Sequence, residues 1–457
     1  MTETVRPKAG PPRERILALT ERERDTFARS HRRSRELYER SADSLFGGVP
    51  MSWMMKWAGG FPVFAERAEG STVFDVDGNE YADFCLGDTG AMTGHAPRAV
   101  ATTAAEQAAR AITTMMPSPD APVVGEALSE RFGLPLWQVT LSATDANRFA
   151  IRMARQVTGR PRILIFNWCY HGTVDETFAV LREGRVVTRP GNVGPPVELD
   201  RTTRVVEFND VAALEEALAH EDVACVLAEP AMTNIGIVLP EPGFHRTLRE
   251  LTSRHGTLLI IDETHTISTG YGGYTREHGL DPDILTTGKT IGGGVPAGAF
   301  GVTHEVAERA LAQEDADYVD VGGVGGTLAG NALSVAAMRT ALTEVLTERA
   351  FRYTVPLAER FERGVKGTLE EARAPWNVVR LGCRVEYGFS PEPPRNGGEA
   401  AASHDDELET LLHLYALNRG VLITPFHNMA LMAPTTTEAQ VDWHTVVFSE
   451  ALEELYR

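Results

Sequence analysis

Short apolar runs alternate with amphipathic stretches over the middle of the chain. The runs read QVTLS, RILIF, RVVEF, VACVLA, TLLIID, DILTT and AGAFGVT. Their length and their β-branched residues are typical of buried strands. A helical pattern separates the fourth run from the fifth, with Pro242 at its start and Gly256 just past its end. This alternation predicts a mostly parallel sheet covered by helices on both faces.

The N-terminal part of the chain has a different pattern. Residues 1–41 are predicted to form a helical arm, in which Thr20 and Glu23 make a capping box that opens a charged helix. This helix is expected to continue to the end of the arm. Two alternating runs around Asp77-Gly78 then predict a β-hairpin.

The C-terminal part, from about residue 335, is helix-rich, with strand candidates NVVRL, VEYGF and GVLIT. Residues 391–407 are predicted to be a long exposed loop. The predicted fold class is therefore α/β, with a large mostly parallel-sheet domain and a smaller α+β domain built from both chain ends. The predicted divisions are 1–41 for the arm, 42–90 for the N-terminal part of the small domain, 91–334 for the large domain and 335–457 for the C-terminal small domain.

Composition narrows the functional class. Of 457 residues, 43% are hydrophobic and 23% are charged, and the formal net charge is -19. Such a negative charge argues against nucleic acids and anionic membranes as partners. A charged, proline-containing N-terminus and the absence of a bilayer-length apolar run favour a cytoplasmic location. The cysteines Cys85, Cys169, Cys225 and Cys383 lack metal-ligand spacing, so we expect buried small hydrophobes and no metal.

Candidate catalytic and binding residues follow five of the predicted strands. Their position is informative because ligands of open α/β sheets bind beyond the carboxyl ends of the strands. They are Ala143 and Thr144 after the first run, Tyr170 and His171 after the second, Glu229 after the fourth, Asp262 to His265 after the fifth and Lys289 after the sixth. The amides at a helix start can bind a phosphate, and an aromatic side chain can stack on a ring. A buried acid can pair with a protonated ring nitrogen, and a lysine can form an imine with an aldehyde. The set predicts a site for pyridoxal phosphate.

Lys289 lies in a setting that favours a reactive amine. Glycines surround it, and no carboxylate occurs between Asp283 and the end of the run, which helps a lysine to lose its proton. The rival interpretation is the GK[ST] end of a nucleotide-binding loop. That motif needs a glycine five residues before Gly288, where Asp283 stands, and a long following helix that the glycines and Pro296 prevent.

The ordered motifs ATDAN, YHG, AEP, IIDET, TTGKTIGGGVPAGAFG and GGTLAGN resemble the class III family of fold-type I pyridoxal-phosphate enzymes, which includes ω-aminotransferases and glutamate-1-semialdehyde aminomutase. The resemblance covers roughly residues 45–450, and it implies a fold-type I aminotransferase that acts as a homodimer. The implied roles are the Schiff-base lysine for Lys289, the partner of the pyridine nitrogen for Asp262, the two faces of the ring for Tyr170 and Thr264, and phosphate binding for Ala143, Thr144 and, across a dimer interface, Thr327. The expected cofactor-binding set also includes His171, Glu229 and His265, with Glu229 as a structural acceptor.

The chain departs from the family pattern at Ala143, Asp145, Thr264 and His265. Asp145 takes the place of a glutamate, and Thr264 takes that of an aliphatic residue. Ala143 replaces the glycine of the usual SGTEA motif, so a tighter phosphate cup is expected. His265 stands where many relatives have a glutamine, and we hypothesise that it tunes the imine. Transamination between an amine and a keto acid or aldehyde is the expected reaction. Aminomutase, racemase or lyase activity uses the same early steps and stays open, whereas a non-catalytic binding protein is disfavoured because Lys289 and Asp262 are both present.

The substrate preference is predicted from two loops. The resemblance implies that relatives acting on β-amino acids hold a carboxylate with arginines from an early and a late loop. Here the early loop carries Trp53 and Trp57, and the late loop has Phe426 where an arginine aligns. Apolar bulk disfavours an unpaired carboxylate and predicts an aryl or alkyl amine. The alternatives are that these residues are core, or that Arg380 and Arg384 bind a substrate carboxylate.

Overall fold

A computed structural model describes residues 10–313, 316–317 and 321–457. The chain divides into two compact units, of which the first is built from both chain ends. The first unit comprises the described residues up to Pro97 together with Arg349–Pro393 and Ser403–Arg457, and the second comprises Arg98–Glu348 and Pro394–Ala402.

The strands are β1 Ala65–Glu69, β2 Thr72–Asp75, β3 Glu80–Asp83, β4 Leu136–Thr140, β5 Arg162–Phe166, β6 Ala179–Arg182, β7 Arg185–Thr188, β8 Thr203–Val206, β9 Val223–Ala228, β10 Leu258–Asp262, β11 Ile284–Gly288, β12 Gly298–Val302, β13 Asn377–Leu381, β14 Arg384–Gly388, β15 Val421–Leu422 and β16 Met429–Leu431. The α-helices are α1 Arg13–Ser30, α2 Arg32–Ser41, α3 Arg98–Arg110, α4 Ala121–Phe132, α5 Ala143–Thr158, α6 Val211–Leu218, α7 Phe244–Arg254, α8 Gly273–Glu277, α9 His304–Leu311, α10 Ala332–Thr340, α11 Glu348–Ala372, α12 Gly397–Ala402, α13 Asp406–Leu417 and α14 Glu438–Leu455.

The second unit is organised around a seven-stranded sheet in the order β4-β12-β11-β10-β9-β5-β8. Strand β12 runs antiparallel to both of its neighbours, and the other pairings are parallel. Each of the seven apolar runs forms one of these strands, so the predicted mostly parallel sheet is confirmed. The carboxyl ends of its parallel strands therefore lie along one edge.

Small residues let α5 lie close to this sheet. Ala146, Ala150 and Ala154 recur at helical spacing, and all three are fully buried in the core of the unit. Strand β9 is buried at every position, as expected for a parallel strand covered on both faces. The close packing of α5 sets where its first turn lies.

The first unit contains two smaller sheets, with orders β1-β2-β3-β15 and β13-β14-β16. Strands β2 and β3 pair antiparallel around Asp77-Gly78, where the sequence predicted a hairpin. The strand candidates NVVRL, VEYGF and GVLIT correspond to β13, β14 and β15. The α+β character predicted for this part of the chain follows from these elements.

The predicted capping box at Thr20 and Glu23 is wrong. Helix α1 begins at Arg13, and Thr20 lies inside it with its hydroxyl donating to the Ile16 carbonyl at 2.8 Å. Glu23 is buried and accepts hydrogen bonds from Asn418 and Arg419. Tertiary packing within the first unit, and not local capping, determines the position of this residue.

The predicted exposed loop at 391–407 is wrong in part, because α12 lies inside it. A Cβ atom at Gly397 would meet the Asn167 carbonyl oxygen, and the Gly398 amide donates to Glu207 at 3.2 Å. The backbone therefore packs tightly against other segments of the second unit, to which Pro394–Ala402 belongs. The composition of residues 391–407 could not predict this contact, because its partners are distant in the sequence.

All four cysteines are free and buried, which confirms the prediction of small hydrophobes. Among the described residues, no helix combines the length and the apolar character that a membrane crossing requires.

Candidate active site

The end of β10 carries a buried carboxylate with four hydrogen-bond donors. Asp262 Oδ2 accepts from Asn147 Nδ2 at 2.8 Å and contacts His171 Nδ1 at 2.8 Å. Asp262 Oδ1 accepts from the Thr264 amide at 3.0 Å and from the Thr264 hydroxyl at 2.6 Å. Asn147 is held in turn by the Thr286 hydroxyl, which donates to its Oδ1 at 2.6 Å. The carboxylate is thus fixed in orientation by three separate segments.

These contacts determine the charge of Asp262. Burial alone would raise its pKa, but the hydrogen bonds and charge of His171, with Thr264 and Asn147, lower the pKa to about 2. The pKa of His171 is raised well above its ordinary value. Burial opposes this shift, and the contacts with Cys169 and Asp262 outweigh it. The pair is therefore ionised near neutral pH, and a carboxylate remains negative inside a buried site.

Lys289 follows β11 at the same edge of the sheet. Its backbone is left-handed, with φ of +51°, and its Nζ lies 2.8 Å from His265 Nε2. Left-handed backbone costs free energy in a residue with a side chain, and such strain is concentrated at functional sites. The structure thus brings Lys289 and His265 into direct contact, next to the strand end that carries Asp262.

The first turn of α5 forms the phosphate-binding candidate. Ser142 caps the helix, its Oγ accepting from the Asp145 amide at 3.2 Å. The Ala143 and Thr144 amides lie in the first turn, where N–H groups have no acceptor inside the helix and attract anions. The Thr144 hydroxyl accepts from the Thr173 amide at 3.1 Å, which joins this turn to the segment after β5.

Two glycines allow the strand ends to approach this turn. A Cβ atom at Gly172 would lie 2.0 Å from the Thr144 hydroxyl oxygen, and one at Gly288 would lie 2.9 Å from the Ala143 amide nitrogen. A side chain at either position would fill the space beside the helix start. Glycine at position 288 therefore allows the backbone before Lys289 to approach the start of α5.

Glu263 holds the segment after Asp262 in place, a role that the sequence did not reveal. Its carboxylate accepts from the Thr266 hydroxyl at 2.6 Å and from the Tyr274 and Thr275 amides at 3.1 and 2.5 Å. Burial raises the pKa of Glu263, and these donors offset part of the shift. The side chain closes a turn around residues 263–275 and thereby fixes the backbone that carries His265.

Asn147 and Thr286 are the other functional residues that sequence reasoning missed. Both are fully buried, and they connect α5 and β11 to Asp262. A signal was present, because an asparagine on the apolar face of α5 has a buried amide that requires partners. The identity of those partners depends on strand order, which the sequence did not provide.

Three further residues of the predicted site are Tyr170, Glu229 and Thr327. Tyr170 is half-buried, with its ring in edge contact with Phe178 at 6.4 Å between centroids. Glu229 is buried after β9 and accepts a hydrogen bond from the Thr233 hydroxyl, consistent with the expected structural acceptor. Thr327 is exposed, in the segment that precedes α10.

The predicted substrate residues belong to the first unit. Trp53 and Phe426 meet there, with 5.3 Å between ring centroids, and Lys56 Nζ lies 5.5 Å from the Phe426 centroid. The early and late loops therefore come together in the first unit. Trp57 packs instead against the core cluster that contains Phe27, so it is in large part a core residue.

Pyridoxal phosphate fits the residues at this strand edge. Asp262 supplies a carboxylate that stays ionised, the first turn of α5 supplies amides beside a space kept free by two glycines, and Lys289 supplies an amine. Buried polar atoms that lack a hydrogen-bond partner within the described part of the chain surround the site, namely His171 Nε2, Thr287 Oγ1 and Thr290 Oγ1. A ligand with polar groups would satisfy such atoms.

Comparison with known proteins agrees with this fit. The sequence matches the family model for aminotransferase class-III over residues 53–452. The glutamate-1-semialdehyde 2,1-aminomutase of Aquifex aeolicus (strain VF5) is 33% identical over 433 residues, which cover 93% of this chain and 98% of that protein. The protein of the same name from Anaeromyxobacter sp. (strain K) is 33% identical over 402 residues, covering 86% and 91%.

Solved structures give the same result. A glutamate-1-semialdehyde-aminomutase from Pseudomonas aeruginosa PAO1, solved as a lysine-to-alanine variant in complex with PMP, has a TM-score of 0.95 and 49% identity, covering 98% of this chain and 100% of that one. An omega-transaminase from Sphaerobacter thermophilus has a TM-score of 0.82 and 29% identity, covering 92% and 97%.

The sheet, the ionised carboxylate and the lysine at its edge define a fold-type I pyridoxal-phosphate-dependent enzyme. The chain belongs to the class III aminotransferase family, as the match over most of its length shows. Its cofactor is pyridoxal phosphate.

Proposed function

We propose that this enzyme transfers an amino group from a primary amine to a keto acid or aldehyde. The observation that carries the proposal is the arrangement of Lys289, His265 and Asp262, with an amine and an ionised carboxylate at adjacent strand ends. When bound, pyridoxal phosphate supplies an electron sink for the bond changes at the amine carbon.

The residues of the chain have distinct parts in this proposal. Lys289 Nζ attaches the cofactor through its aldehyde and then moves a proton to and from the substrate Cα. Asp262 keeps the ring nitrogen protonated because its pKa is about 2. The Ala143 and Thr144 amides bind the phosphate, and Tyr170 and Thr264 cover the two faces of the ring.

The proposed donor is an apolar or aryl amine. The two loops that the resemblance associates with a substrate carboxylate meet through Trp53 and Phe426, an aromatic pair with 5.3 Å between centroids. The arginines considered as substitutes are engaged within the first unit. Arg380 donates to Glu362 at 2.9 Å, and Arg384 is fully buried beside Thr89. An ω- or β-amino acid, whose carboxylate needs a cation, is the less favoured donor.

A second function is favoured by the relatives. Proteins named as glutamate-1-semialdehyde aminomutases are 33% identical over most of this chain, and one solved example is 49% identical. An aminomutase moves the amino group within one molecule and needs no separate acceptor. A racemase of the same fold would likewise use one substrate. Only transamination depends on a second carbonyl compound, and this dependence distinguishes it from aminomutase and racemase activity.

The decisive experiment uses three donors with and without pyruvate: 1-phenylethylamine, β-phenylalanine and glutamate 1-semialdehyde. We expect alanine to form from pyruvate with 1-phenylethylamine at the highest kcat/KM. A higher kcat/KM for β-phenylalanine would overturn the amine preference and leave transamination standing. Isomerisation of glutamate 1-semialdehyde without pyruvate, and no transfer from the other donors, would establish the aminomutase.

Attachment of the cofactor is tested on the same preparations. Borohydride reduction followed by peptide mapping should place the label on Lys289, and Lys289→Ala should fold, bind the cofactor without a covalent bond and lose turnover by several orders of magnitude. A label on another lysine would refute the assignment of Lys289.

A further inference from the structure

The contact between Lys289 and His265 joins an amine to a group that can exchange a proton with it. Lys289 Nζ and His265 Nε2 are 2.8 Å apart, which is hydrogen-bond distance. His265 is buried, and Lys289 is half-buried. Little solvent therefore competes for the proton between the two nitrogens.

The contact permits two arrangements of the same proton. In one, the lysine ammonium donates to an unprotonated His265 Nε2. In the other, His265 Nε2–H donates to a neutral lysine amine. Moving the proton from Nζ to Nε2 converts the first into the second and leaves an electron pair on Nζ. That pair is what a carbonyl carbon accepts when the lysine attacks it.

Glu263 helps to hold His265 in contact with Lys289, because its three hydrogen bonds close the turn that follows Asp262. The Ser268 amide also donates to the His265 carbonyl at 3.1 Å, which fixes the backbone of this residue. His265 is thus held in a turn closed by hydrogen bonds, as expected for a proton-transfer partner whose geometry must be maintained.

We propose that His265 is a catalytic residue that accepts a proton from Lys289 Nζ and returns it during amino-group transfer. The inference rests on the proposed function in that Lys289 attaches the cofactor. It assigns to His265 a general acid-base role in that attachment and in the later proton movements of Lys289.

Other ionisable groups stand at this edge of the sheet. They are Asp145 at the start of α5, His171 after β5, Glu229 after β9, and Asp262 and Glu263 after β10. Asp262 and His171 are paired with each other, and the Asp145 carboxylate accepts from the hydroxyl of the α5 cap, Ser142, at 3.0 Å. Glu263 and Glu229 accept from threonine hydroxyls. Each of these groups has a hydrogen-bond partner of its own. The pH dependence of the Lys289–His265 contact is therefore compared between variants that share all of these groups.

The test follows cofactor capture and not turnover. Cofactor-free wild type, His265→Gln, His265→Ala and the control His304→Gln are mixed with pyridoxal phosphate, trapped with borohydride at timed intervals and analysed for label on Lys289. His304 is exposed on α9, so its substitution controls for loss of a histidine. Measurements extend from about pH 6.5 to about pH 10.5, the range over which histidine and lysine ordinarily titrate.

We expect His265→Gln to capture the cofactor at least about tenfold more slowly than wild type at pH 7, and to approach wild type near pH 10 because the lysine then loses its proton to water. Glutamine keeps a polar contact but cannot accept a full proton. Added imidazole should restore part of the rate in His265→Ala, and His304→Gln should match wild type.

Equal capture rates for wild type and His265→Gln at pH 7 would overturn the inference. A uniform slowing at every pH would also overturn it, because that result indicates a structural role. In both cases a label on Lys289 leaves the proposed function intact, whereas a label elsewhere refutes the proposed function itself.

Discussion

The state of Asp262 is set by its neighbours and not by its burial. A carboxyl group in an apolar interior has a raised pKa and becomes neutral. Here Asn147, His171 and Thr264 reverse that tendency, and the pKa is about 2. The negative charge that the proposed role of Asp262 requires therefore depends on residues from two other segments.

Replacing Asp262 by asparagine tests this charge. The amide has nearly the same shape but cannot hold a ring nitrogen protonated, so we expect amino transfer to slow by roughly 10²- to 10³-fold, the size typical of losing one preorganised electrostatic contact. Rapid-mixing spectroscopy of the amine half-reaction provides the rate, and circular dichroism provides the fold. Wild-type rates in Asp262→Asn would show that this carboxylate is not the partner of the cofactor.

The pair formed by Asp262 and His171 also predicts a pH dependence of stability. The folded-state pKa of Asp262 is lowered, so its contribution is present above about pH 4 and is lost as pH falls through about 2. The folded-state pKa of His171 is raised, so its contribution is present below about pH 6.5 and is lost as pH rises through the higher value. Both contributions are present between these limits.

We therefore expect His171→Gln to lower the free energy of unfolding by about 2–4 kcal/mol at pH 5.5, since it leaves a buried charge without its partner. Denaturant titration of the cofactor-free protein measures this, with the exposed His304→Gln as the control. A loss in His171→Gln no larger than that of the control would contradict the buried ion pair.

At the scale of elements, the site depends on how closely strand ends approach α5. Gly172 has a left-handed backbone and faces the Thr144 hydroxyl, so two separate costs attach to a side chain there. Gly159 at the carboxyl end of the same helix is also left-handed, but an added Cβ would meet nothing within 4 Å. A comparison of Gly172 with Gly159 therefore distinguishes the cost of a steric contact from the cost of a strained backbone.

We expect Gly159→Ala to cost about 1 kcal/mol, the usual penalty of left-handed backbone in a non-glycine residue. Gly172→Ala should cost several kcal/mol more and weaken binding of pyridoxal phosphate, because the helix start must move away from the segment after β5. Thermal unfolding and cofactor titration give both quantities. Similar losses in the two variants would mean that the close approach has no role in the site.

Elements with a strong local signal were predictable from the sequence. The seven apolar runs became the seven strands of the central sheet, and the hairpin at Asp77-Gly78 formed as expected. Residues at strand ends could be grouped because one edge of a parallel sheet collects them. Strand order was not predictable, so the contact from Asn147 to Asp262 was missed.

Glu23 shows why local signals also misled. Its spacing from Thr20 matches a capping box, but α1 starts earlier at Arg13 and the carboxylate pairs with Arg419 from a distant part of the chain. Burial alone would raise the pKa of Glu23, and hydrogen bonds from Arg419, Asn418 and Arg22 lower it. Such long-range partners have no signature in a single sequence.

This pairing gives a prediction for α1. Glu23→Ala should destabilise the protein by about 3 kcal/mol, because it leaves the Arg419 and Asn418 donors without their buried acceptor. Glu21→Ala removes an exposed carboxylate from the same helix and should change stability by less than about 0.5 kcal/mol. Chemical unfolding of both variants decides the matter. Equal, small effects would contradict a stabilising pairing of Glu23 with Arg419 and Asn418.

For the whole molecule, an exposed apolar surface in the second unit needs an explanation. Met115 is 78% exposed and Leu328 is 51% exposed, and Ile112 and Met116 are also exposed. The Ala332 amide donates to the Ile112 carbonyl at 2.9 Å, so the two segments that carry these side chains meet at that point. Thr327, the expected phosphate contact, is adjacent to Leu328. Exposed apolar surface of this kind commonly marks an interface.

We expect a second copy of the chain to cover this surface and to bring Thr327 toward the cofactor of its neighbour, as the family resemblance implies. Met116→Glu combined with Leu328→Glu should then yield monomers that lose pyridoxal phosphate and activity together, because a desolvated charge opposes association. Leu311→Glu is the control, since Leu311 is 73% exposed on α9. Analytical ultracentrifugation with cofactor absorbance reads out both properties. A monomeric wild type that is fully loaded and active would contradict the dimer, as would a double variant that stays dimeric with its cofactor bound.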